Sequence, residues 1–261
     1  MGIQNRILQI VVVVGLMLLS SAIVKAQNNT NADTDTESVV NSYLLQISIG
    51  GIGYDQKTLV SQALELIKQN KLIQAEAILD DALKQFDVLM ANRSRNYVCF
   101  RLAEDYRQFL NEIEAKQGHQ AMLTYTLVHY SFAQALYFKA FIASSRKQWG
   151  QTIRFLDKVI SYAPYDPQPH NEKGYALNGL KKPREALESY KRAYALAVAH
   201  RDSSAKTEQA GALRGMGFAQ IELGKLDDAV ISFKKSLEIE PGNKVALNEL
   251  QYIERVRARR R

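Results

Sequence analysis

Along the C-terminal half of the chain, small and large residues recur at two intervals at once. Within short stretches apolar residues fall three and four positions apart, which is the spacing of one helix face. Over longer stretches the same set of residues returns. Ala140, Thr152, Leu156 and Val159 come back 34 residues later as Gly174, Ala186, Tyr190 and Ala193. A further 43 residues on they are Gly217, Ala229, Phe233 and Ser236, and Pro164 and Pro241 each close a unit. A period of this length marks a solenoid made from one repeated supersecondary unit. The units fall at residues 133–166, 167–200 and 210–243, with 201–209 as an insertion that extends a helix end. Small residues at Gly174, Ala186, Gly217 and Ala229 allow two helices to approach, and Tyr190 and Phe233 fill the gap to the next hairpin. Lys244 to Arg257 predicts a capping helix with Val245, Leu247, Leu250 and Ile253 on one apolar face.

Upstream the pattern weakens. Residues 56–89 are a degenerate copy in which Leu59, Ala63, Ala75, Leu79 and Ala82 fit, with Asp87 at the closing Pro position. Residues 93–116 predict one long helix with Cys99, Leu102, Ala103, Tyr106, Leu110 and Ile113 on a shared face. Gly118 breaks it, and helix resumes over 120–146. The one strand-like run is Tyr43 to Ile49, just before Gly50-Gly51-Ile52-Gly53, and a first helical turn would read the same way.

These units resemble the tetratricopeptide repeat family, best over Gly174 through Ala193 and over GFAQIELGKLDDAVISFKKSLEIEPGN, residues 217–243. The resemblance covers about 110 residues well and about 70 poorly. It implies an all-α fold, a right-handed helical-hairpin solenoid with a C-terminal capping helix. It identifies a fold and not an activity.

Residues 1–26 read as an export signal. Arg6 supplies the positive start, Ile10 to Leu19 is an apolar run, and Val24-Lys25-Ala26 offers a cleavage site between Ala26 and Gln27. The alternative is an uncleaved inner-membrane anchor over residues 7–24. Residues 27–55 form a disordered or irregular spacer, since QNNTNADTDTES lacks any large apolar residue. Asn28 and Asn92 begin glycosylation sequons. The segment 56–132 holds the degenerate repeat and long helices, 133–243 the three repeats, and 244–261 the cap and an Arg-rich tail.

The chain has 261 residues, 46% apolar and 23% charged, which excludes a wholly disordered protein. One Cys excludes a disulfide scaffold and any Cys-based zinc site. The net charge of +7 lies in five Arg of residues 255–261 and in Arg6 and Lys25, so the body is neutral. A neutral body argues against a nucleic-acid-binding face. The Arg tail reads first as a solvated helix end and second as a weak contact for anionic lipid.

Chemical motifs are sparse. GIGYDQKT, residues 51–58, comes near a phosphate-binding loop, but Gln56 stands where the second Gly belongs. Cys99 on an apolar face reads as a buried small hydrophobe, with an intermolecular disulfide as the rival. His119, His129, His170 and His200 lie in different segments, and no nucleophile motif is present. No cofactor, metal or catalytic group is assigned, and the expectation is a non-enzymatic protein.

The family resemblance implies a concave groove lined by the first helix of each unit. Its inward positions are Tyr137, Phe141 and Ser144, then Asn171, Tyr175 and Asn178, then Arg214, Phe218 and Ile221. Phe141, Tyr175 and Phe218 share one repeat position, either as an aromatic ladder for a ligand or as core. Some relatives hold a terminal carboxylate with Lys and Asn. Here Lys is absent from these positions and Arg214 is the only cation. The expected function is a protein–protein interaction scaffold of the bacterial envelope, periplasmic or secreted, that binds a peptide or helix. The alternative is a membrane-anchored structural subunit of a secretion, pilus or polysaccharide assembly.

Overall fold

The computed structural model describes residues 53–91, 96–117 and 125–260. The signal, the spacer, the Tyr43 to Ile49 run, Gly51, both sequons and His119 lie outside the described residues.

The first hairpin is α1 (Lys57–Lys68) and α2 (Leu72–Met90). An insertion follows: strand β1 (Asn96–Val98), helix α3 (Ala103–Gln117) and strand β2 (Tyr125–Leu127). Three hairpins then stack: α4 (Ser131–Ser145) with α5 (Trp149–Tyr162), α6 (Pro167–Gly179) with α7 (Pro183–Ala199), and α8 (Ala205–Glu222) with α9 (Leu226–Ile239). Helix α10 (Lys244–Arg260) ends the stack. The fold is an all-α hairpin solenoid.

The repeat reads directly as packing. Ala75, Thr152, Ala186 and Ala229 occupy equivalent sites in the four second helices and are all buried. One turn on, Leu79, Leu156, Tyr190 and Phe233 are buried as the large partners. The fit is tight: a Cβ added at Gly174 would lie 2.7 Å from the Tyr190 ring, and one at Gly217 would lie 2.6 Å from Phe233. Burying each such ring stabilises by roughly 1.5–3 kcal/mol.

All four hairpin turns are built alike. The residue closing each first helix is left-handed: Asn70 (φ 58°), Lys147 (57°), Lys181 (61°) and Gly224 (72°). The next amide in each turn reaches back five residues, from Lys71 to Leu66, Gln148 to Ala143, Lys182 to Leu177 and Lys225 to Gln220, at 2.8–2.9 Å. This is the Schellman closure, and three of its four left-handed sites lack the usual glycine. The shared turn makes α1–α2 a full member of the stack.

Two pairs of first helices touch, α1 on α4 and α6 on α8, whereas successive second helices make no comparable contact. The stack therefore curves with the first helices on its inner side.

The insertion departs from the expected helices. Cys99 and Leu102 precede α3, and residues 125–127 are a strand. The two strands pair in parallel, Tyr97 opposite Thr126, with α3 as the crossover. At three residues each, they are too short for an alternating pattern to emerge. The Cys99 amide donates to the Tyr162 carbonyl at 2.8 Å, which ties the strands to the end of α5. Cys99 is 1% exposed within a core of Phe86, Phe132 and Val159, and burial pushes its thiol pKa up. It is a packing residue.

The cap also needs correction. Its buried face is Ala246 and Ile253 with half-buried Leu250, while Val245 and Leu247 are exposed. They point away because α10 turns toward α9 the face that each inner helix turns toward the preceding hairpin. Asn243 caps it by accepting from the Ala246 amide at 3.2 Å.

Candidate functional site

The expected inward positions lie on α4, α6 and α8, the first helices of the three hairpins. Phe141 on α4 is 48% exposed and Tyr175 on α6 is 54% exposed. Tyr175 stands edge-on to Trp149, with ring centroids 5.6 Å apart. Phe218 on α8 differs: it is half-buried and edge-on to the core residue Phe233 at 5.5 Å. Tyr252 on α10 lies 34 residues after Phe218, the interval that separates Phe141 from Tyr175, and is 44% exposed. The exposed rings are thus Phe141, Tyr175 and Tyr252, with Phe218 half in the core.

The polar positions lie on α6 and α8. Asn171 Nδ2 and Arg214 Nη2 both lie 3.9 Å from the point where a Gly211 Cβ would stand. Arg214 is engaged by Glu240 at 2.6 Å. Asn178 Nδ2 donates to the Tyr190 hydroxyl at 3.4 Å. The side-chain oxygens of Asn171 and Asn178 are buried without a hydrogen-bond partner. Tyr137 is half-buried against the core of α2, α4 and α5, and burial raises its pKa, with Glu172, Asp166 and Glu208 adding to the rise. Ser144 and Ile221 are half-buried at the groove end.

A second polar cluster lies at the edge of the stack. Arg101, just before α3, forks onto Glu208 at 2.5 and 3.1 Å and contacts His200 Nδ1 at 3.2 Å. Asp166 lies 3.8 Å from Arg101 and accepts from the Tyr130 hydroxyl at 2.5 Å. It also caps α6 by accepting from the Gln168 amide at 3.1 Å. His200 Nε2 contacts Asp105 at 2.7 Å. Burial pushes Glu208 up, but the Arg101 hydrogen bond and charge outweigh it and hold its pKa below 4.5. Burial holds Asp166 above 3.8 despite Arg101. Every member is paired within the fold, so the cluster acts as a staple. Elsewhere, burial lowers His170 to about 4, and Gln56 of the near phosphate loop donates to Gln85. Among the described residues no three His, Cys, Asp or Glu side chains gather to hold a metal ion. No described helix is long and apolar enough to cross a membrane.

The tetratricopeptide repeat family matches residues 215–243, the last hairpin. The chain contains a tetratricopeptide repeat. Among solved structures it is similar to the first tetratricopeptide domain of human RPAP3, at 27% identity over 48% of this chain and 92% of that one, TM-score 0.44. The first tetratricopeptide domain of Spaghetti (RPAP3), bound to the HSP90 peptide SRMEEVD, is 27% identical over 48% of this chain and 93% of that one, TM-score 0.43. YrrB, described as having an unusual peptide-binding site, is 16% identical over 74% and 90%, TM-score 0.41. No curated protein matches the chain in sequence.

Tetratricopeptide phase also accounts for what the sequence reading missed. Tyr252 follows from continuing the 34-residue interval into the cap. Glu172, one residue after Asn171, adds to the rise in pKa that burial causes at the Tyr137 and Tyr190 phenols. The staple had no local signal, because Arg101 and Glu208 are 107 residues apart.

Proposed function

We propose that this protein is a non-enzymatic scaffold that holds a peptide or helix of a protein partner along its inner face. The observation that carries the reading is the pair of exposed rings, Phe141 and Tyr175, on adjacent inner helices at one repeat position. Aromatic rings give large contact area at low entropic cost, and the flanking Asn171 and Asn178 amides suit an extended backbone. The peptide complex of the RPAP3 domain is in keeping with such a role. Arg214 contributes to the groove with its charge already met by Glu240. Residues 1–26 support export to the envelope, where the partner would reside.

The test is site-specific photocrosslinking in the native host, with a benzophenone amino acid at Tyr175 or, as control, at outward Ile231. We expect discrete adducts from position 175 that vanish with Phe141→Ala, and none from 231. Equal labelling from both faces would overturn the groove. Fractionation of the same cells checks the address: a chain starting at Gln27 in the periplasm or medium supports export, and an intact Met1 in membranes refutes cleavage.

A further inference from the structure

The groove carries an imbalance of charge and hydrogen-bonding capacity. Arg214 is the cation among the expected groove positions, and Glu240 neutralises it at 2.6 Å. Glu172, on α6, is half-buried with no ion pair among the described residues. Its neighbours are the Tyr137 and Tyr190 phenols, which carry no positive charge. On the same helix, the Asn171 and Asn178 side-chain oxygens are buried without a donor. Three acceptors on α6, the helix that carries the exposed ring of Tyr175, therefore lack a partner of opposite character. Buried polar groups are normally paired, and buried carboxylates are paired or neutralised. Five other buried polar atoms, Gln56 Oε1, Arg101 Nε, Asp105 Oδ1, Thr126 Oγ1 and Asp202 Oδ1, also lack a hydrogen-bond partner, but other buried or half-buried charges meet an opposite one. Lys139 meets Glu76 and Asp80 at 3.0 and 2.7 Å, and Arg101 meets Glu208.

We propose that Glu172 is the receptor for a Lys or Arg side chain of the bound peptide, with Asn171 and Asn178 accepting from its neighbouring amide groups. The inference rests on the groove reading above and adds the chemistry of the ligand. It sets this groove apart from one that captures a carboxylate: its guanidinium is spent, and its free charge is negative. A peptide lying across Tyr175 would bring its cation to Glu172 and stack its aliphatic stem on the ring, as long basic side chains do on apolar surfaces.

The test is fluorescence polarisation on the full chain with an acetylated, amidated peptide array in which one central residue is Lys, norleucine or Glu in each frame. The Lys peptides are expected to bind about tenfold tighter than their norleucine counterparts, the order of one charge-assisted hydrogen bond. The Glu peptides are expected to be weakest. Glu172→Gln should bring the Lys and norleucine affinities together. Binding that Tyr175→Ala abolishes, but that is indifferent to charge and to Glu172→Gln, overturns this inference and leaves the groove standing. Preference for Glu peptides overturns it too. If no peptide of any charge binds at millimolar concentration, both readings fall.

Discussion

The stack from α4 to α10 and the join between the insertion and that stack are held in different proportions by shape and by charge. In the stack, each interface sets a small residue against a large apolar one: Gly174 and Gly215 against Tyr190, Gly217 against Phe233, Gly179 against Trp149. At the join, charged side chains add to an apolar patch in which Tyr106, Phe109 and Ile113 meet Tyr165 and Leu196. Arg101 bridges to Glu208 and His200, and Asp105 to His200. Both partners are departures from the repeat: the insertion after α2, and the extra turn at the start of α8 that carries Glu208. A repeated interface can be stabilised by shape, because the same pair of surfaces recurs. Two irregular segments have no such template, and a network of paired charges fixes their register instead, as buried ionic groups do in some systems.

Truncation should separate the two regimes most sharply. Phe233→Ala should cost about 3–5 kcal/mol through loss of a fully buried ring. Arg101→Ala should cost a similar 3–5 kcal/mol, because it strands Glu208 and Asp166 in a buried site. The double variant Arg101→Ala/Glu208→Ala should recover part of that loss, whereas no second truncation rescues Phe233→Ala; denaturant midpoints measure both. If Arg101→Ala leaves the midpoint unchanged, the staple does not hold the join. Acid should act on the join as well. Glu208 and Asp202 have folded pKa values below their ordinary ones. Their contribution is present above the unfolded values and is lost as pH falls through the folded ones. Asp166, held above its ordinary value by burial, offsets part of that gain. Hydrogen exchange at residues 103–117 should therefore rise before exchange in α9 as pH drops below about 4.5.

The cap tests the regular end. Leu250→Ala should cost about 1–3 kcal/mol, at the low side of a buried leucine because the site is half-buried. Leu247→Ala, on the exposed side, should stay within about 0.5 kcal/mol. Equal costs would mean that α10 packs by a different face.

The same contrast explains what could be read from the sequence. The three C-terminal hairpins follow from residues such as Gly174 and Phe233, because an interface that recurs prints its pattern several times. The degenerate hairpin could be placed too, since Ala63, Ala75, Leu79 and Ala82 keep the phase and all four are buried. The insertion could not, because β1 and β2 are three residues each and α3 shares its apolar surface with Tyr165 and Leu196, far along the chain. In the groove, repeat phase located Phe141 and Tyr175 but could not tell that Phe218 leans into the core. That depends on the neighbouring Phe233.

The turns offer a smaller test. Lys147 and Lys181 sit at φ 57° and 61°, where the equivalent residue in the last hairpin is Gly224. An L-residue there costs roughly 1–2 kcal/mol, part of which glycine gives back as unfolded-state entropy. Lys147→Gly and Lys181→Gly should each stabilise by about 0.5–1 kcal/mol, and Gly224→Ala should cost a similar amount, read from urea midpoints. Destabilisation by Lys147→Gly would show that its side chain anchors the turn.

The smallest expected effect concerns the place where the regular stack breaks its own rule. Glu172 is a half-buried carboxylate among apolar and phenolic neighbours, and burial holds its pKa above 4.5. A carboxylate raised on folding takes up a proton as the chain folds. Stability therefore declines as pH rises from the unfolded value through the folded one. Gln does not titrate and is nearly isosteric, so Glu172→Gln should remove that slope. The variant should melt about 1–2 °C higher than the parent at pH 7.5, with the difference vanishing below about pH 4. Such a gain would mean that the carboxylate is kept at a cost to the fold, in contrast to the staple, where every charge has its partner. If Glu172→Gln is instead destabilising at every pH, the carboxylate makes a favourable contact within the stack. The stack would then use charge as the join does, and the division between the two regions would fail at its most informative residue.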